Sequence, residues 1–130
     1  MKTFKTTFLP VFLATVWISI SEFARNEFLL KHFWSQHYQN MGLAFPSEPV
    51  NGAVWGIWSL VFALVIFILS NKFGLWHTTF LSWVIGFVMM WLVIGNLGVL
   101  PYPILYFAVP LSLLEVGLAT FIVNKSKTIK

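Results

Sequence analysis

The sequence predicts an all-α integral membrane fold: an antiparallel four-helix bundle with an additional amphipathic helical segment in its first external loop. Three observations predict it. Of 130 residues, 58% are hydrophobic and 9% charged, whereas a soluble domain carries about 25% charged residues. No formally charged residue occurs between Thr78 and Leu114. The basic residues sit at the ends of apolar runs instead of in one patch, so the net charge of +4 speaks for membrane orientation and against nucleic acid. The chain is expected to form one transmembrane domain over residues 1–130.

The first span is expected over about 7–26. A basic start, an apolar stretch and small residues at Ser19 and Ser21 also fit the outline of a signal peptide. However, Phe23, Phe28, Leu29, Leu30, Phe33 and Trp34 continue the apolar rhythm beyond any such cut, which favours a retained helix. The next uncharged stretch predicts a second span over about 52–71. The long apolar run after it exceeds the roughly 20 residues needed to cross a bilayer. Gly98-Val99-Leu100-Pro101-Tyr102-Pro103 breaks it, giving spans over about 77–97 and 102–123.

The loop 27–51 carries Leu30, Trp34, Tyr38 and Met41 at helical spacing among polar residues, the pattern of an amphipathic helix. Gly42 suits its C-terminal stop, and Ser47 is the expected N-cap of the second span. With four spans, Lys2, Lys5, Lys72, Lys125, Lys127 and Lys130 fall on one side with no acidic side chain. The positive-inside rule then puts both termini in the cytoplasm of a cell-membrane (inner-membrane) protein.

Small and polar residues repeat at spacing 4-3-4, the pattern of close helix packing in lipid. The stripes are Thr15, Ser19, Glu22 and Asn26; Gly52, Gly56, Ser59 and Ala63; and Ala108, Ser112, Glu115 and Ala119. The third span has Ser82 and Gly86, then Met89, Val93 and Asn96. The 3.5-residue repeat predicts left-handed crossing.

The polar residues suggest two candidate sites. Glu115 is expected about 12 Å from the cytoplasmic end of its helix at about 1.5 Å per residue. Ser112 is its expected partner, Thr15 lies near its level, and no cation is expected at its depth. Ionisable groups inside spans are costly and often functional, so Glu115, Ser112 and Thr15 form a candidate proton or ligand site. Its structural alternative is a Glu115 carboxyl hydrogen-bonded to Ser112 or to a carbonyl freed by Pro110. Near the external boundary, Glu22, Arg25, Asn26, Asn51 and Asn96 form a candidate polar cluster. It either bonds the helices together or, with Trp55, Trp58 and Tyr106, lines a pocket. The two carboxyl groups are expected roughly 15 Å apart in depth.

No metal site is expected. His32 and His37 differ by about 140° around a helix and are read as surface residues. Trp17, Trp83 and Trp91 are expected to face lipid or a partner. Without cysteine there is no thiol catalysis or thiolate zinc, and phosphate-loop, HExxH and GxSxG motifs are missing, so no cofactor is expected.

The segments Arg25-Asn26-Glu27-Phe28-Leu29-Leu30-Lys31, Phe45-Pro46-Ser47-Glu48-Pro49-Val50-Asn51-Gly52 and Ile94-Gly95-Asn96-Leu97-Gly98-Val99-Leu100-Pro101 resemble small bacterial four-span membrane proteins of unassigned activity. The resemblance implies a fold and no reaction. The length also invites comparison with small multidrug-resistance transporters and fluoride channels. Glu22 lies near the external end of its span, unlike the embedded glutamate of the former, and the glycine–arginine motif of the latter is missing.

The expected function is that of a non-enzymatic accessory protein or a binder of a small lipophilic ligand. Its expected partners are the bilayer and a second copy or another membrane protein. The alternatives are an oligomeric proton-coupled transporter or channel using Glu115, and a lipid-modifying enzyme.

Overall fold

The computed structural model describes residues 2–128; Lys130, counted above among the orienting lysines, lies outside them. The described residues are helical, with no strand. Four helices are long and apolar enough to cross a membrane: α1 (Phe4–Leu29), α3 (Pro49–Ser70), α4 (Leu75–Asn96) and α5 (Tyr102–Lys127). Between the first two lies the short polar α2 (Lys31–Asn40).

Local chemistry sets the ends. Pro49 occupies the first helical position of α3, where its missing N–H leaves no bond unmade. A residue before proline is driven to extended backbone, so Glu48 (ψ 155°) takes the N-cap position expected of Ser47. Its N–H donates to Asn51 Oδ1 at 2.9 Å. Gly42 and Gly98 are the positive-φ residues that end α2 and α4. At each, two backbone bonds close a Schellman stop: Gly42 and Leu43 donate to Gln39 and Tyr38, and Gly98 and Val99 to Gly95 and Ile94.

α1 packs against α3 and α5, and α4 against α3 and α5. The shared core joins Val11, Ala14 and Ile18 to Phe62, Ala63, Ile66, Phe87, Val116, Ala119 and Val123. At Gly86 the ring of Phe62 approaches to 2.5 Å of where a Cβ would stand, so any larger residue would force that ring to move. A second cluster joins Leu30 to Leu100, Ile104 and Ala108. Lys127 bonds Ser70 and Asn71 and sits 4.6 Å over the Phe67 ring, tying the ends of α3 and α5 together.

The small-residue stripes are followed unevenly. Ala108, Ser112, Glu115 and Ala119 are all buried. In α1 Glu22 is buried as expected, but the buried neighbours are Ala14, Ile18 and Arg25, one position before Thr15, Ser19 and Asn26. Gly52 and Gly56 face open space. In α4, Ser82 and Gly86 are buried but Met89, Val93 and Asn96 are exposed. A wider π turn at Val84–Val88 explains the change of face. Its extra residue rotates the remainder of the helix by about 100°, and Met90 and Trp91 pack inward instead.

Apolar side chains cover the outside of the protein as well as filling its core. Large apolar side chains such as Phe12, Ile20, Ile57, Leu92 and Leu114 are exposed. Ser59, Thr78, Ser82, Ser112, Glu115 and Thr120 are buried. Several buried hydroxyls bond to carbonyls of the preceding turn, as Thr79 does to Leu75 and Thr120 to Val116, so they need no cross-helix partner.

Candidate functional site

Glu115 from one expected site and Glu22, Arg25 and Asn26 from the other come together in one cluster. Arg25 Nη2 lies 2.5 Å from Glu22 Oε1 on the same helix, and Nη1 lies 3.5 Å from Glu115 Oε1 on α5. Glu115 therefore has the cationic partner it was expected to lack. All three are enclosed: Glu115 is 1% exposed, Glu22 4% and Arg25 6%. The guanidinium also stands 5.1 Å from the Phe87 ring centroid, so its apolar face meets an aromatic one.

Helix length explains the correction. α1 does not end at Asn26 but continues to Leu29 through π turns from Ala24. Leu30 then joins Leu100, Ile104 and Ala108 in the second apolar cluster, and Ile104, the middle of those three positions, serves as its reference level. Counted from that common level at about 1.5 Å per residue, Glu22 lies roughly 12 Å in and Glu115 roughly 16 Å in. The remaining few ångströms are spanned by the long arginine side chain. A mid-span contact agrees: Trp17 Nε1 donates to the Glu115 carbonyl at 2.9 Å.

Asn26 extends the cluster. Its amide donates to Glu22 Oε2 at 3.0 Å and to the Glu22 carbonyl at 3.1 Å. Its Oδ1 accepts from Trp34 Nε1 of α2 at 3.3 Å, which fastens the loop helix over the site. One turn further along α2, His37 Nε2 lies 2.7 Å from the Gly98 carbonyl. A carbonyl can only accept, so that nitrogen carries the proton. His37 is thus a tether for α2, not the free surface residue expected.

The remaining candidates lie elsewhere. Asn51 is spent on its capping bond, and Asn96 is exposed, so neither joins the cluster. Tyr106, expected in a pocket, is 84% exposed. Thr15 donates to its own turn at Val11, 2.7 Å away. Ser112 is buried but does not bond Glu115: it donates to the Val109 carbonyl and accepts from Trp83 Nε1 at 2.8 Å. Trp17 and Trp83 thus turn inward to donate, and Trp91 packs on both apolar clusters.

Among the described residues no group of histidines and carboxylates could hold a metal. The buried side-chain oxygens left without a partner among the described residues are Glu115 Oε2 and Ser82 Oγ. Two clefts among the described residues lie elsewhere. One lies between α2 and the turn after it, lined by Lys31, Ser35, Gln39 and Phe45 among others; the second lies between α1 and α5 at Leu13, Phe121 and Lys125. Neither is lined by Glu22, Arg25 or Glu115. Both carboxyl groups meet through Arg25, and packing encloses all three side chains. No known family, curated protein or solved structure matches this chain.

Proposed function

We propose that this chain is an integral membrane protein, an antiparallel four-pass bundle with both termini and the Lys72 turn in the cytoplasm. It acts without catalysis, as an accessory subunit or a binder of a small lipophilic ligand. The observation that carries this reading is the enclosure of Arg25 between Glu22 and Glu115, all three buried from the surface. Buried charges need paired partners, and in lipid such a cluster holds helices in one arrangement. The exposed apolar faces of the long helices support lipid as their solvent. The lysines at the ends of α3 and α5 and at the start of α1 support the orientation.

Gentle detergent purification tests it. The expected result is a stoichiometric membrane partner or lipophilic molecule, with no intrinsic flux in proteoliposomes. A solitary monomer with its own turnover would overturn the reading.

A second reading, a homo-oligomeric proton-coupled transporter, is favoured by one observation: Glu115 Oε2 is buried without a partner. It requires pH-dependent flux that Glu115→Gln abolishes. Flux unchanged in that variant would remove Glu115 from any such mechanism.

A further inference from the structure

The cleft between α1 and α5 has the chemistry of an amphiphile. Leu13, Phe121 and Ile122 line its apolar part, and Lys125, Ser126 and Thr128 its polar end. The volume is ≈ 560 Å³, large enough for part of an acyl chain and its glycerol end. Apolar surface gives way to a cation and two hydroxyls in one direction only, toward the end of α5.

Lys125 is placed to meet an anion. Its Nζ stands 5.7 Å over the Phe121 ring, and no carboxylate side chain pairs with it among the described residues: Glu22 and Glu115 are taken by Arg25, and Glu27 by Lys31. The fourth acidic residue, Glu48, starts α3 at the end away from Ser70. Lys127, by contrast, is engaged by Ser70 and Asn71. The first turn of α1 packs on α5, which brings the exposed Lys5 to the same end of the molecule. Basic pockets between helices at a cytoplasmic boundary suit anionic lipid headgroups.

We infer that this cleft binds an anionic phospholipid, with one acyl chain along Leu13, Phe121 and Ile122 and the headgroup phosphate on Lys125. Ser126 and Thr128 donate their hydroxyls to Ile122 and Lys125 carbonyls, leaving oxygen lone pairs and not protons for a ligand. Lys125 is therefore the principal donor. The inference rests on the membrane reading above, and the test separates the two.

Native mass spectrometry of the detergent-extracted chain, with phosphatidylglycerol or phosphatidylcholine added, reads the site directly. Retained adducts of phosphatidylglycerol in preference to phosphatidylcholine are expected. Lys125→Gln is expected to weaken retention roughly five-fold, the worth of one interfacial lysine, while Lys72→Gln leaves it unchanged. Leu13→Trp, which fills the apolar part and keeps the charge, is expected to displace the lipid as well. Equal retention of both lipids, or retention indifferent to Lys125→Gln and Leu13→Trp, would overturn the site alone. A chain that stays soluble without detergent would overturn the membrane reading with it.

Discussion

Arg25 and Glu115, 90 positions apart in the chain, meet at 3.5 Å inside the protein. Arg25 also holds Glu22 three positions earlier, at 2.5 Å. One guanidinium thus joins the first long helix to the last, and its removal is the most informative single change.

Arg25→Met leaves two carboxyl groups buried without their cation. Breaking a buried ion pair from one side costs about 3–5 kcal/mol. A large fall in thermal stability in detergent is therefore expected. Adding Glu22→Gln and Glu115→Gln to Arg25→Met is expected to recover most of it, because no charge then remains buried. The half-exposed Glu27–Lys31 pair gives the contrast: Lys31→Ala is expected to shift stability by less than about 1 kcal/mol. Equal effects of the two single changes would contradict the enclosure of Arg25.

Gly86→Ala is expected to destabilise by about 1–3 kcal/mol through overpacking. The Phe62 ring that fills the space is itself held by Trp58 and Phe87, so it has little room to turn away. Phe62→Leu in the Gly86→Ala background is expected to restore part of the loss. Thermal unfolding of the single and double variants measures both.

Ser112→Ala removes the acceptor of Trp83 Nε1. Interhelical hydrogen bonds in lipid are worth roughly 0.6–2 kcal/mol, and a loss of that size is expected. Trp83→Phe in the same background should cost little beyond the first change, because the orphaned donor leaves with it. A double-mutant cycle on thermal stability reads the coupling.

The four long helices are legible in the sequence because uninterrupted apolar runs leave few other solutions for the backbone. The stop at Gly42 is legible from local chemistry as well. The site is only partly so. Glu22, Arg25, Asn26 and Glu115 all stand out as polar groups in apolar surroundings, but a first helix ending at Asn26 misplaces their depth. Its continuation to Leu29, and Leu30's place beside Leu100 and Ile104, bring Glu22 closer to Glu115's level. The apolar Phe28-Leu29-Leu30 shortly after Arg25 is the available signal. The π turn in α4 cannot be read from periodicity, since the stripe Met89, Val93 and Asn96 fits an unbroken helix and the bulge turns it outward. Hydroxyl partners are equally hidden: Ser112 could serve Glu115 or Trp83, and only the packing of α4 against α5 decides.

A four-pass bundle with cytoplasmic ends is most directly tested by cysteine labelling. The chain has no cysteine, so each introduced thiol reports one position. In intact cells producing the protein, a membrane-impermeant maleimide is expected to label Ser47→Cys, and to label Lys2→Cys and Lys72→Cys only after the membrane is opened. Labelling of Lys72→Cys from outside, or equal labelling of all three in intact cells, would contradict the account.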